Sequence, residues 1–321
     1  MQVDVSPYVK FREALVDAVS HAIIGKTKVI ELVALDILVG GHILFEDNPG
    51  LGKTTLAKSV AKAMGCEFRR IQFTADLLPS DVTGTYILEG SGGFRFLKGP
   101  VFTQVLLADE INRSPPKTQS SLLEAMQERQ VTAENQTFVL PSPFVVFATQ
   151  NPIEYEGTYP LPEAQMDRFT VRMQVGYPEE NDEVSILERK GALQDELESV
   201  PQVYGPADIL SLQKGLGNVF VDEDIRRYIV KVVADTRAIE GVDVGASPRG
   251  SIQLFHMARA RAVCSGRDFV TPDDVKELAV PVLAHRIVLS PDSEVKGTSQ
   301  PAIVHDVLKR VPVPKVGSAE E

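Results

Sequence analysis

Ten residues leave little freedom to the rest of this chain: Glu46-Asp47-Asn48-Pro49-Gly50-Leu51-Gly52-Lys53-Thr54-Thr55, between the apolar run Ile43-Leu44-Phe45 and the helix-like Leu56-Ala57-Lys58-Ser59-Val60. Strand, glycine-bearing turn and helix start follow one another in the order of a P-loop. Gly50 and Gly52 let backbone N–H groups approach phosphate oxygens, Lys53 reaches the β- and γ-phosphates, and Thr54 offers its hydroxyl to Mg²⁺. Asn48, Pro49, Leu51 and Thr55 complete the cradle. One position departs from G-x-x-x-x-G-K-[ST]: the first glycine is Asp47. Asp enters left-handed backbone conformations, though less easily than Gly, so a left-handed Asp47 is expected.

Downstream, the chain supplies what such a loop needs for chemistry. Val105-Leu106-Leu107-Ala108 is a buried-strand pattern that ends in Asp109-Glu110. In a P-loop fold the first carboxylate of such a pair holds the Mg²⁺ shell and the second polarises the attacking water. Ser114 is expected to cap a helix with Pro115 at its first position. Phe144 to Ala148 reads as a further core strand, and Asn151 at its end can orient a water beside the γ-phosphate. A short helix over Pro160 to Phe169 then presents Arg168 before a fifth strand, Thr170 to Val175. Two hairpins are inserted, one turning through glycines about Gly90 to Gly93 and one over Val131 to Leu140, turning near Glu134-Asn135. Gly176-Tyr177-Pro178 marks the domain boundary, and everything beyond it reads helical: Asn181 to Leu197, a helix capped by Asp222, one after Pro248 with Arg249 near its start, Thr271 to about Ala284, and Ala302 to Leu308. Arg249 is placed to point at a nucleotide held between the domains. Each feature alone has a plain structural explanation, such as a solvated strand end for Asp109-Glu110 or a surface ion pair for Arg168. Their order along one chain is a single mechanism laid out in sequence.

Composition narrows the function. The chain of 321 residues has a formal charge of −11, so it lacks the basic footprint of a protein whose main affinity is for duplex phosphates. Two cysteines far apart, Cys66 and Cys264, point to a reducing compartment and to small buried hydrophobes. The five histidines show no metal-ligand spacing, so any metal should arrive with the nucleotide. No signal peptide is visible and the most apolar stretch is interrupted by Glu31 and Asp36, so a cytoplasmic location is expected.

The blocks Glu46 to Thr54, Leu107-Ala108-Asp109-Glu110-Ile111-Asn112-Arg113-Ser114-Pro115-Pro116-Lys117-Thr118-Gln119 and Ala148-Thr149-Gln150-Asn151-Pro152, followed by Leu161 to Phe169, resemble the MoxR family of AAA+ ATPases, in the clade with a helix-2 insert. The resemblance covers nearly the whole chain. It implies an α/β P-loop core (a parallel five-stranded sheet flanked by helices, residues 1–176) and a smaller all-α lid, residues 177–321. It assigns Lys53 and Thr54 to Walker A, Asp109 and Glu110 to Walker B, Asn151 to sensor 1, Arg168 to an arginine finger and Arg249 to sensor 2, with Ile24 and Gly25 against the adenine. The implied cofactors are ATP and Mg²⁺. The implied assembly is a ring, hexameric in form, because in this fold Arg168 lies on the wrong side of the sheet to serve its own site. Members of the family are chaperone-like, activating client proteins often in metalloenzyme maturation, beside separate proteins with a von Willebrand factor A domain. A nucleic-acid motor of the same clade and a nucleotide-gated scaffold with little turnover are the alternatives; the acidic balance disfavours the motor.

Overall fold

The computed structural model describes residues 3–88, 93–134, 136–152, 157–191 and 197–314. Helices α1 (Ser6–Ser20) and α2 (Thr27–Val39) precede β1 (Ile43–Glu46), the strand that feeds the P-loop, and α3 (Lys53–Ala63) leaves it. β2 (Phe68–Gln72), α4 (Pro79–Thr83), β3 (Gly84–Leu88) and β4 (Phe94–Lys98) lead to β5 (Val105–Asp109) and α5 (Pro116–Glu128). β6 (Gln130–Ala133) and β7 (Gln136–Val139) come before β8 (Val145–Gln150), and α6 (Glu163–Met166) before β9 (Val171–Met173). The sheet order is β2-β5-β8-β1-β9, every neighbour parallel.

Residue alternation explains the two faces of this sheet. Ile43, Phe45, Val105, Leu107, Val145 and Phe147 enter one buried cluster with α1, α2 and α3. Leu44, Leu106, Ala108, Val146 and Ala148 enter another, with α5 and the hairpins. Successive side chains on a strand point to opposite faces, so strands buried on both sides must be apolar throughout. The hairpins β3–β4 and β6–β7 pair antiparallel as expected and lean on each other: Phe96 stacks on Phe138 with ring centroids 4.3 Å apart, and Tyr86 Oη donates to Gln136 at 3.0 Å. The expected turn residues Gly90, Ser91 and Gly92 of the first hairpin, and Asn135 of the second, lie outside the described residues.

Beyond β9 come α7 (Glu180–Gly191), α8 (Pro206–Gly215), α9 (Glu223–Asp235), β10 (Val242–Val244), α10 (Pro248–Cys264), α11 (Pro272–Leu283), β11 (Val288–Leu289), α12 (Pro291–Val295) and α13 (Gln300–Arg310). Asp222 caps α9 by accepting from Asp224 N–H. β10 and β11 form a two-stranded antiparallel ribbon inside this helical part, too short to leave a sequence pattern. The lid docks against α2 through α10, and its buried side chains join the cluster on that face of the sheet. Two local expectations shift. Ser114 does not cap α5: it closes the 3-10 turn Ile111–Arg113 by donating to Ile111 O at 3.2 Å, which leaves Pro115 as N-cap and Pro116 first in the helix. Asp47 is not among the residues with positive φ, which among non-glycines are Glu110, Arg129 and Glu134.

The edge of the sheet where β1 and β8 begin is tied by buried polar groups. His42 accepts from Val146 N–H at Nδ1 (3.0 Å) and, carrying its proton on Nε2, donates to Met126 O at 3.2 Å. Burial pushes this imidazole down to about 3, so it stays neutral. Arg129 donates to Phe144 O at 3.2 Å and to Gly40 O. Between them Asp36, on α2, is fully buried with no hydrogen bond to either carboxylate oxygen among the described residues. Burial pushes its carboxyl up to about 8, against the pull of the neighbouring Thr170 hydroxyl and Arg129 guanidinium.

An unfolded Asp releases its proton above about 3.9, whereas the folded protein keeps that of Asp36 until about 8. In that window the folded state holds the extra Asp36 proton, so this group's contribution to stability falls as pH rises, by up to about 1.4 kcal/mol per pH unit. Neutral buried His42 contributes a slope of opposite sign below about 6.5, so the Asp36 effect is the difference between two curves. In denaturant titrations from pH 5 to 8 the wild type should lose stability relative to Asp36→Asn as pH rises. Equal slopes would mean that Asp36 is ionised in the fold.

Candidate functional site

All strands of the sheet are parallel, so the loops leaving β1, β5 and β8 emerge on one edge. There they enclose a cavity of about 420 Å³ lined by Asp47, Pro49, Gly50, Leu51, Gly52, Lys53, Thr54, Thr55, Arg70, Asp109, Glu110, Thr149, Gln150 and Asn151. Gly50 and Gly52 adopt φ values of +84° and +81°, and a Cβ on Gly50 would meet nothing within 4 Å, because that side of the loop is the cavity. Gly52 is the N-cap of α3 and has no side chain to cap it, so the first N–H groups of the helix face the cavity. Lys53 donates to the carbonyls of Asp47 (2.9 Å) and Asn48 (2.8 Å). Burial lowers the Lys53 pKa, offset by Asp47, Asp109 and Glu110.

The acid pair is held by a lattice of partners that sequence reasoning missed. Thr149 Oγ1 donates to Asp109 Oδ1 at 2.6 Å and accepts from Glu110 N–H at 2.8 Å, joining the ends of β5 and β8. Arg70 lies in the cavity and binds Asp109 Oδ2 at 2.7 Å. Glu110 is left-handed, φ +56°, and its carboxylate takes hydrogen bonds from Gln72 (2.7 Å) and Arg113 (2.9 Å). A non-glycine residue in that region stores strain, which here turns the Glu110 side chain from the strand line toward the neighbouring β2. Arg70 and Gln72 share one face of β2, and that alternation was the available signal.

A second cavity of about 250 Å³ adjoins the first, sharing Gly50, Leu51, Gly52 and Thr55. Its remaining wall is mostly apolar: Ala22, Ile23, Ile24, Lys26, Val175, Gly176, Pro178 and Ile186. Ile24 is one of the apolar side chains of this slot. Gly25 stands behind, its φ +71° and close approach to Asp182 excluding a side chain. The pair of cavities fits a nucleoside triphosphate: uncapped N–H groups and an ammonium at one end, an apolar slot at the other. Carboxylate Asp109 and hydroxyl Thr54 are the oxygen donors suited to Mg²⁺.

Arg168 and Arg249 are absent from both linings. They meet instead in a cleft of about 190 Å³ with Gly40, Gly41, His42, Arg129 and Thr170. Gly40 to His42 precede β1, and Arg168 and Thr170 precede β9, so the cleft opens at the edge of the sheet opposite the P-loop, with β1 between, about 13 Å at the usual strand rise. Placing Arg249 over the chain's own nucleotide is therefore corrected, because the lid docks behind α2 and carries α10 to the far edge. Asp167 fixes this corner: it accepts from Ser247 Oγ at 3.1 Å and from Arg286, and Arg249 Nε lies 4.0 Å from its carboxylate.

Residues 42–171 match the ATPase family associated with various cellular activities (AAA), and residues 234–307 match the AAA lid domain. The chain is 42% identical over 319 residues to chaperone MoxR1 of Mycobacterium tuberculosis, covering 96% of this chain and 84% of that protein. It is 32% identical to protein MoxR of Paracoccus denitrificans, covering 96% and 97%. A crystal structure of a candidate ATPase from Cytophaga hutchinsonii superposes with a TM-score of 0.89 at 40% identity, covering 96% of this chain and 97% of that one.

Thr149→Val should expose the weight of the hydroxyl bridge. It leaves the Glu110 N–H without its acceptor and Asp109 Oδ1 without the Thr149 donor, while Arg70 still holds Oδ2, and should cost about 1–3 kcal/mol in chemical denaturation. A loss below about 0.5 kcal/mol would mean that the bridge contributes nothing.

Proposed function

The chain belongs to the MoxR family of AAA+ ATPases, and from that premise we propose that it binds Mg-ATP in the paired cavities and hydrolyses it at sites completed by a second copy of itself. The observation that carries this reading is the separation of functional groups across the sheet. Lys53, Asp109, Glu110 and Asn151 belong to the edge where strands end; Arg168 and Arg249 share a cleft at the edge where they begin. Cations held together beside a half-open cleft, with nothing anionic of the P-loop in reach, suit a phosphate brought by another molecule. A closed ring, hexameric by family analogy, gives every subunit one such neighbour.

In this reading the N–H groups of Gly50 to Thr54 and the Lys53 ammonium hold the phosphates, and the apolar slot with Ile24 receives the base. Thr54 and Asp109 would hold Mg²⁺, which supplies charge neutralisation at the phosphates. Glu110, once its carboxylate leaves Gln72 and Arg113, accepts a proton from water, and Asn151 orients that water. Arg168 and Arg249 stabilise charge on the neighbour's phosphoryl group. The division into a core of residues 1–176 and a lid of residues 177–321 belongs to the same proposal, with Gly176 at the joint.

The output we propose is remodelling or activation of partner proteins in the cytoplasm, including a separate von Willebrand factor A domain protein. The chaperone name of a relative and the acidic balance support it. No helix among the described residues is long and apolar enough to cross a membrane.

Lys53→Ala should lose ATP binding. Arg168→Ala and Arg249→Ala should each bind ATP as the wild type does and turn over about 10³-fold or more slowly in the case of Arg168, the range for arginine fingers. Fluorescent-nucleotide titration beside phosphate release separates the two classes. Normal turnover by Arg168→Ala would remove the shared site.

A further inference from the structure

Asp47 stands where the P-loop pattern has glycine, yet its backbone uses none of glycine's freedom. Its N–H, 3.3 Å from Gln150 O, simply extends the β1–β8 ladder. The side chain is what the position employs. The residue is 7% exposed, and its Oδ2 accepts from Val175 N–H and, at 3.4 Å, from Gly176 N–H. The next residue reaches the same segment: Asn48 Nδ2 donates to Tyr177 Oη at 3.1 Å. Lys26 Nζ, from the loop before α2, donates to Tyr177 O at 2.7 Å.

Three consecutive residues after β9 are thus held from the phosphate loop and from Lys26. Val175, Gly176 and Pro178 are also a wall of the apolar cavity, opposite Ile23 and Ile24. Gly176, at φ +70° with no atom within 4 Å of a would-be Cβ, has no packing of its own to fix it. A glycine at position 47 would leave the buried Val175 N–H without an acceptor, a loss larger than that of an ordinary hydrogen bond because the acceptor is a carboxylate. Lys53 meets the Asp47 carbonyl and not its carboxylate, so the phosphate cradle and the wall draw on different atoms of one residue.

We propose that Asp47 is a positioning residue for the base end of the ligand: its carboxylate sets the Val175 to Pro178 wall against which the adenosine of ATP is seated. The proposal rests on the reading of the two cavities as an ATP site. It makes the departure from the P-loop pattern functional, and it makes the substitution toward that pattern harmful.

Equilibrium binding of two probes tests it: ATP, which engages both cavities, and inorganic tripolyphosphate, which engages only the phosphate cavity. The wild type should bind both. Asp47→Gly takes a negative charge away from the Lys53 site, so it should bind tripolyphosphate at least as tightly as the wild type, yet bind ATP roughly tenfold more weakly, the weight of one charge-assisted hydrogen bond. Asp47→Asn, whose amide oxygen can accept the same two hydrogen bonds, should keep most of the ATP affinity. Asp47→Ala removes the acceptor without adding backbone freedom and should match Asp47→Gly, so the comparison survives if the glycine variant fails to fold. An equal loss for both probes would assign Asp47 to the phosphate cradle, and unchanged ATP affinity would detach it from the wall; either overturns the proposal. A wild type that binds neither probe would overturn the site itself.

Discussion

In a sheet whose five strands all run parallel, loops that leave strands and loops that enter them are sorted to opposite edges. Everything functional in this chain follows that sorting. The P-loop, the acid pair and Asn151 all follow strands, so β1, β5 and β8 bring them to one cavity although more than a hundred residues of chain separate the first from the last. Arg168 precedes β9, and Arg249 is delivered to the same edge by a lid that docks behind α2. The fold thereby sets two groups of charged side chains on opposite edges of one sheet, in separate clefts.

The cavity is held in a self-satisfied arrangement. Lys53 rests on two carbonyls of its own loop, Asp109 on Arg70 and Thr149, Glu110 on Gln72 and Arg113. Each is a charged group that would otherwise sit uncompensated in a partly buried site, where an unpaired charge is costly. In the proposed reaction the Glu110 carboxylate would exchange neutral and cationic donors for water, and the Lys53 ammonium would exchange carbonyls for phosphate. The positive φ of Glu110 turns its side chain toward β2.

Much of this was legible in the sequence because it is local. Gly50, Gly52 and Lys53 carry their geometry in their residue types, Asp109 and Glu110 declare themselves at the end of an apolar run, and the hairpins follow from turn residues, glycines in the first and Glu134-Asn135 in the second. What was not legible depends on distant partners. Asp47 was expected to matter for its backbone, and instead serves residues 128 and 129 positions away. Arg249 was expected over its own nucleotide, since nothing in a helix's sequence says which way a lid turns. Asp36 interrupts the apolar run Val33 to Leu38, which is buried throughout, and the close packing of Gly41 and Thr170 against it makes it a buried neutral acid. Ser114 missed its cap by one residue because a 3-10 turn, which leaves no periodicity, intervened.

Subunit mixing tests the division of labour between the two edges most directly. Glu110→Gln removes the water-activating group and leaves Arg168 intact; Arg168→Ala does the reverse. If sites form between copies, each variant alone is inactive, and a mixture recovers phosphate release, because an Arg168→Ala subunit's cavity can be completed by the Arg168 of a Glu110→Gln neighbour. Recovery that rises and falls with the mixing ratio, greatest near equal amounts, is the result this structure predicts. A mixture as inactive as its components, at concentrations where both variants exchange subunits, would contradict it.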